Sequence, residues 1–102
     1  MTIQAIENTL KGRLRELRTF NHTARLDFAA DGKLFLDATK TPPILSRDAA
    51  LPVEVTIKIS AADFKRILDG TLNPTLAYAS RKLRIEGSMG LALKLSSLLE
   101  QE

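Results

Sequence analysis

Two aspartates that flank a predicted β-hairpin have the best spacing for chemistry in this chain. Asp27 and Asp37 lie on either side of Ala30-Asp31-Gly32-Lys33, whose Asp-Gly pair is a strong signal for a tight turn. If the turn is centred there, both carboxylates lie near each other on the outer face of the hairpin. Such a pair could act as general acid and base or bind a cation. Surface ion pairs with Arg25 and Arg84 are the alternative that we favour.

Other catalytic groups are scarce in the sequence. His22 is the single histidine and there is no cysteine, which argues against a thiolate nucleophile or a zinc site. The segment Gly87-Ser88-Met89-Gly90 has glycines around a serine, but not at the spacing of a nucleophile elbow. We interpret it as a strand-to-helix turn with Ser88 as the helix cap. The sequence therefore predicts a protein that is not an enzyme and that uses neither a cofactor nor a metal.

The bulk composition is that of one ordinary globular domain spanning residues 1–102. The chain is 44% hydrophobic and 26% charged, with a net charge of +3. Its N-terminus lacks the pattern of a signal peptide, and no apolar run is long enough to cross a bilayer, so we expect a cytoplasmic protein. A basic run, Lys11, Arg13, Arg15 and Arg18, is interpreted as a solvated helix face. Nucleic-acid binding through it would lack exposed aromatic residues for stacking.

Hydrophobic periodicity predicts the elements that must position these groups. Apolar residues at three- and four-residue steps predict a helix over residues 3–18, weakened at Gly12. Alternation predicts strands at 24–28, 34–38, 53–59 and 82–86, and an edge segment around Ile44-Leu45. Ser60 begins a second helix as its cap, and Asn73-Pro74 begins a third. The order predicts an α+β domain with one mainly antiparallel, mixed, five-stranded sheet covered on one face by helices.

The last predicted helix, residues 88–99, is more apolar than one surface contact requires. Its broad apolar face is extended by Met89 and Leu93 past half of the circumference. Only a narrow polar strip remains, formed by Gly90, Lys94, Ser97 and Gln101. The extra apolar surface could be covered by a partner, a membrane or an apolar ligand.

Two segments resemble the sterol carrier protein 2 (SCP-2) domain. They are Ser60-Ala-Ala-Asp-Phe-Lys-Arg-Ile-Leu-Asp-Gly-Thr-Leu-Asn-Pro and Ala77-Tyr-Ala-Ser-Arg-Lys-Leu-Arg-Ile-Glu-Gly-Ser-Met-Gly-Leu-Ala-Leu-Lys-Leu. The resemblance covers nearly the whole chain. Tyr78 stands where phenylalanine is usual, Arg81 where glycine is common and Ser88 where aspartate is common.

The resemblance implies a small sheet with an apolar tunnel between it and the covering helices. It implies a non-catalytic carrier of a fatty acid, acyl-CoA, phospholipid, sterol or isoprenoid, with transient contact to a membrane surface. Some bacterial relatives are accessory lipid-binding proteins of isoprenoid-quinone synthesis. The alternative is an interaction module, a homodimer or accessory subunit, that docks through the apolar last helix.

The candidate tunnel residues share an apolar side chain on an element that would face the ligand. They are Val55, Ile57, Phe64, Leu68, Leu76, Tyr78, Leu83, Ile85, Met89, Leu91, Leu95, Leu98 and Leu99. Basic residues near the tunnel entrance, Arg81, Lys82 and Lys94, could attract an acidic headgroup. Leu95→Asp is expected to remove lipid binding and to leave much of the sheet intact.

Overall fold

A computed structural model describes residues 3–47 and 52–99 of the chain. Part of the predicted connector after the second strand, and Gln101 of the predicted polar strip, lie outside these residues. Within the described part, no helix combines the length and the apolarity needed to cross a bilayer.

Five strands form one mixed sheet with the order β3-β2-β1-β4-β5. They are β1 (Thr23–Asp27), β2 (Lys33–Asp37), β3 (Ile44–Ser46), β4 (Val55–Ile59) and β5 (Leu83–Gly87). Neighbouring strands are antiparallel except β1 and β4, which are parallel. The predicted α+β fold, its mainly antiparallel mixed sheet and the edge segment at Ile44 are thereby confirmed.

In the described residues, five α-helices accompany the sheet: α1 (Ile3–Lys11), α2 (Leu14–Leu17), α3 (Ala61–Leu68), α4 (Pro74–Ala79) and α5 (Met89–Leu99). Two short 3₁₀ turns lie at Arg18–Phe20 and Ala29–Asp31. The three predicted caps are present. The Asp63 N–H donates to Ser60 Oγ at 3.1 Å, the Thr75 N–H to Asn73 Oδ1 at 2.8 Å and the Leu91 N–H to Ser88 Oγ at 3.2 Å.

The two faces of the sheet differ in polarity, as alternation requires. In register, Leu26 lies beside Leu34 and Ile57, and Ile57 lies beside Ile85. This apolar face joins the helices in one core. The opposite face carries charged residues, among them Asp27, Lys33, Lys58, Arg84 and Glu86.

The first predicted helix is broken, and this corrects the interpretation of the basic run. The α1 helix ends at Lys11 and α2 begins at Leu14. Between them lies the half-buried Arg13. Its Nη1 donates to the carbonyl oxygen of Leu99, and its Nη2 donates to the carbonyl oxygen of Leu68 at 3.2 Å. Helix C-terminal carbonyls lack intrahelical partners and carry partial negative charge. Arg13 therefore joins the ends of α3 and α5 and is not part of a solvated face.

The predicted proximity of Asp27 and Asp37 is wrong. Asp27 lies opposite Lys33 and Asp37 lies opposite Thr23, so the two carboxylates are at opposite ends of the hairpin, roughly 13 Å apart along β1. The reason is the position of the turn, which is centred on Ala30 in the 3₁₀ segment Ala29–Asp31 and so lies two residues before the centre at Gly32 that would pair the aspartates. Asp27 accepts from the Ala29 N–H at 2.9 Å and pairs with Lys33 Nζ at 4.0 Å. The two carboxylates therefore do not form an acid–base pair.

Candidate functional site

The α5 helix lies at the centre of the helical layer. It contacts α2, the 3₁₀ turn after it, α3, α4, β4 and β5. Ala92 and Leu95 are 0% exposed and Leu99 is 1% exposed. Most of the broad apolar face is therefore covered by the chain's own elements, which the sequence could not distinguish from an external partner.

The structure divides the thirteen predicted apolar residues into three groups. Seven are buried in the core: Val55, Ile57, Phe64, Leu68, Leu83, Leu95 and Leu99. Ile85, Leu91 and Leu98 are partly buried and pack against that core, whereas Leu76, Tyr78 and Met89 are exposed. Leu95 is fully buried, so the structure has no open tunnel around this side chain. A ligand would have to separate elements that are in contact.

Three large apolar side chains on α4 and α5 are exposed. Leu76 is 66% exposed, Met89 45% and Tyr78 39%. Leu76 and Tyr78 lie on α4 and Met89 begins α5, and these two helices contact each other. Ile44, also exposed, lies on β3 at the opposite edge of the sheet. We call Leu76, Tyr78 and Met89 the helix-end residues.

Two open depressions adjoin α4. One, of ≈ 460 Å³, is partly apolar and is lined by Tyr78, Ala79, Arg81, Leu83, Arg84 and Ile85. The other, of ≈ 410 Å³, is lined by Asp27, Ala29, Lys58, Ile59, Ser60, Arg81, Lys82 and Arg84. The structure thus brings Arg81 and Lys82 together, whereas Lys94 lines neither depression. Sequence reasoning did not predict that Lys58 and Arg84 line a depression. Strand alternation placed them on the outer face of the sheet but gave no register between β4 and β5.

Arg81 occupies a backbone position that favours glycine. The Arg81 N–H donates to Tyr78 O at 3.1 Å and the Lys82 N–H donates to Ala77 O at 2.9 Å, and Arg81 has φ 65°. This is a Schellman motif that ends α4. The same motif ends α3, where Gly70 has φ 79° and Thr71 N–H donates to Arg66 O. Glycine therefore occupies the left-handed position of the motif after α3, and arginine occupies the same position after α4.

Replacing Arg81 with glycine is expected to stabilise the protein. The left-handed conformation costs a non-glycine residue about 1–2 kcal/mol, and glycine loses about 0.5–1 kcal/mol more entropy on folding. We expect Arg81→Gly to raise the free energy of unfolding by about 0.5–1 kcal/mol. Urea denaturation measures it, with Gly70→Ala as the converse variant that should lower the same quantity. A loss of stability in Arg81→Gly would show that the arginine side chain stabilises the fold by more than its left-handed backbone conformation destabilises it.

His22 pairs with a carboxylate at the start of β1. Its Nδ1 lies 3.0 Å from Glu54 Oε2, which also accepts from the Thr23 N–H at 3.1 Å. The hydroxyl of Thr23 in turn accepts from the Glu54 N–H at 3.1 Å. The pKa of Glu54 lies below its ordinary value of 4.5. The main cause is the backbone hydrogen bond that its carboxylate accepts from Thr23, and the contact with His22 lowers the pKa further. These contacts join the start of β1 to the segment before β4.

Glu54 is expected to make folding sensitive to acid. Because its pKa is lower in the folded chain, its contribution to stability is present above about pH 4.5 and is lost as the pH falls through the lower folded value. Glu54→Gln should therefore be less stable than the parent at neutral pH, and the difference should vanish in acid. Urea denaturation across this pH range measures it. The exposed carboxylate of Glu16 on α2 provides Glu16→Gln as control; an equal effect there would contradict the assignment.

The sequence pattern of the SCP-2 sterol transfer family matches residues 3–100. The chain belongs to this family. Membership supports lipid binding or transfer as its general class of function, and the sheet, α4 and α5 described above are elements of an SCP-2 domain. The solution structure of palmitated SCP2L2 from Aedes aegypti is similar, with a TM-score of 0.66 over 99% of this chain and 96% of that one, at 16% identity. That likeness shows the fold alone.

Curated relatives share the SCP-2 region within longer proteins. Non-specific lipid-transfer protein-like 1 of Caenorhabditis elegans is 34% identical over 70% of this chain and 63% of that protein. Hydroxysteroid dehydrogenase-like protein 2 of Xenopus tropicalis is 39% identical over 55% of this chain and 13% of that protein. The matched regions thus span less than two thirds of either relative. The second match shows that an SCP-2 region also occurs within a protein named for an enzyme.

Proposed function

We propose that this domain binds one long acyl chain between α4, α5 and the sheet, as a non-catalytic carrier. The observation that carries the proposal is that α4 and the start of α5 expose Leu76, Tyr78 and Met89, while Ala77 and Ala92 of the same helices lie in the apolar core. Exposed apolar groups that adjoin a core are typical of the mouth of a lipid site. The similar Aedes aegypti protein is described as palmitated, which is consistent with an acyl ligand for this fold.

The weakest wall of the proposed site is α4. This six-residue helix buries only Pro74 and Ala77, and it contacts α5 and β5. An element with so few buried side chains costs little to displace compared with the rest of the core. Its movement would uncover Leu83, Ile85 and Leu95, which would then contact the methylene groups of the ligand. Burial of these groups stabilises the complex by about 0.8 kcal/mol per methylene.

Substitutions of the helix-end residues test the proposal without disturbing the core. Leu76→Asp and Met89→Asp change exposed side chains, so both variants should fold. We expect each to weaken binding of palmitic acid about tenfold, since a charge at the mouth must be desolvated when the chain enters. Ile44→Asp is the matched control, because Ile44 is also exposed but lies at the opposite edge of the sheet. Native mass spectrometry and thermal melting with and without palmitic acid provide the measurements.

The same experiment distinguishes a carrier from an interaction module. A carrier shows a bound lipid mass, a higher melting temperature with palmitic acid and a size independent of protein concentration. An interaction module shows neither lipid effect, and its size rises with concentration in a manner that Met89→Asp abolishes. Equal losses of palmitic acid binding in Ile44→Asp and Met89→Asp would contradict the proposed position of the site.

A further inference from the structure

The strand β5 leaves one edge of the sheet open. It pairs with β4 on one side, and no strand formed by residues 3–47 and 52–99 pairs with its other side. Alternate residues of β5 therefore direct backbone N–H and C=O groups away from β4. The depression of ≈ 460 Å³ beside α4 is lined by Leu83, Arg84 and Ile85, so α4 leaves part of this edge uncovered. An unpaired edge of this kind can accept a further strand.

The two edge strands of the sheet differ in how they are protected against such pairing. The strand β3 has three residues and directly follows Pro42 and Pro43, which have no N–H to donate. The strand β5 has five residues and contains no proline. Charged side chains are another common protection of an edge strand, and β5 carries Arg84 and Glu86. Because these two charges have opposite signs, they block most partners but permit one that carries the opposite order of charges.

The order of charges in β5 is complementary to itself in the antiparallel direction. When two copies pair with Ile85 opposite Ile85, Arg84 of each copy lies opposite Glu86 of the other, with Cβ atoms about 5 Å apart. A shift that centres the pair on Arg84 or on Glu86 places like charges opposite each other, and so does parallel pairing in register. Among the pairings that keep both apolar faces on one side, charge therefore favours the one centred on Ile85.

Within one chain, Arg84 lacks the acidic neighbour that this pairing would supply. Its direct cross-strand partner is Lys58, and like charges at such positions repel. In the part of the chain that the structure describes, no carboxylate lies within ion-pair distance of Arg84. Glu86 pairs with Lys58 at 2.8 Å, yet its side chain is 63% exposed and can accept from a second cation. Glu86 of another copy would thus offset the repulsion between Lys58 and Arg84.

We infer that β5 pairs with β5 of a second copy and joins two sheets into one. The two-fold axis passes through Ile85, perpendicular to the sheet, so both helical layers and the helix-end residues of both copies lie on the same side. Because five residues bury much less than the about 1,600 Å² of a standard interface, the dimer is weak, and the chain is monomeric at the low protein concentrations of the palmitic acid measurements. The pairing involves neither α5 nor a bound lipid.

Charge reversal at two positions tests the pairing by sedimentation equilibrium. We expect the parent to dimerise between about 10 µM and about 1 mM protein. Arg84→Glu and Glu86→Arg each place like charges opposite each other twice, so each should raise the dissociation constant at least about tenfold. An equimolar mixture of the two variants regains both contacts between opposite charges and should dimerise like the parent. A chain that carries both substitutions should do the same, and it serves as the second variant if one reversal alone does not fold.

Restoration in the mixture is the result that only opposed charges across the interface can produce. Arg15→Glu, which changes an exposed arginine on α2, should keep the dissociation constant of the parent. A parent that stays monomeric at about 1 mM overturns the inference. Equal weakening by Arg15→Glu and Arg84→Glu also overturns it, as does a dimer that neither the mixture nor the doubly substituted chain restores. A dimer that Met89→Asp abolishes would belong to α5 and not to β5.

Discussion

Leu95→Asp is expected to prevent folding and not only to remove lipid binding. Leu95 is 0% exposed at the centre of α5, between the helical layer and the sheet. Aspartate there would either bury a charge or take up a proton, and it would also leave a cavity. Together these changes cost at least about 4 kcal/mol, a large part of the stability of a domain of this size. Circular dichroism and urea denaturation of the purified variant measure the effect.

Met89→Asp is the matched control for this substitution. It places the same residue on the same helix, but at an exposed position in the first turn, where a negative charge is favourable. Its free energy of unfolding should stay within about 0.5 kcal/mol of the parent. The sequence predicted Leu95→Asp as a selective ligand-binding variant, and the burial of Leu95 changes that expectation. A folded, cooperative Leu95→Asp protein would show that α5 can move away from the sheet without loss of the fold.

Gly87→Ala is expected to lower the free energy of unfolding by about 3 kcal/mol. Gly87 ends β5 opposite Val55 with φ 98°, a conformation that costs an alanine about 1–2 kcal/mol. A Cβ at this position would lie 2.6 Å from the carbonyl oxygen of Glu54 and 3.2 Å from the Cα of Val55. Backbone atoms cannot rotate away as a side chain can, so β4 and β5 must separate locally. Urea denaturation of the variant measures the cost.

Gly90→Ala provides the control for Gly87→Ala. Gly90 lies only three residues further on, within α5, and a Cβ there would meet only Ser88 Oγ at 3.9 Å. Alanine has the higher helix propensity, so we expect Gly90→Ala to stabilise the protein by about 0.5 kcal/mol. Equal losses in the two variants would mean that the segment needs glycine for general flexibility. Opposite signs would assign the requirement to the close approach of β5 to β4.

Local sequence patterns determined the type and order of most elements, but they missed the break between α1 and α2. The alternation from Val53 to Ile59, the caps at Ser60, Asn73 and Ser88, and the prolines that confine β3 to an edge all act within a few residues. The structure confirms the caps, the edge position of β3 and a strand at Val55–Ile59, two residues shorter than predicted, because hydrogen bonds of caps and the period of a strand depend on neighbours in the chain. The family resemblance likewise rested on contiguous segments. The assignment of the apolar residues as ligand contacts remains a prediction.

Only the tertiary structure decided which groups meet. A turn centred two residues earlier moved Asp27 away from Asp37, and a helix break brought Arg13 to the ends of α3 and α5. Six surrounding elements account for the broad apolar face of α5, and the register of β4 with β5 placed Lys58 beside Arg84. Each of these contacts either joins residues that are distant in the chain or depends on a strand register that a shift of one residue would change. Residue type and spacing fix local conformation, whereas the pairing of distant elements depends on how all of them pack at once.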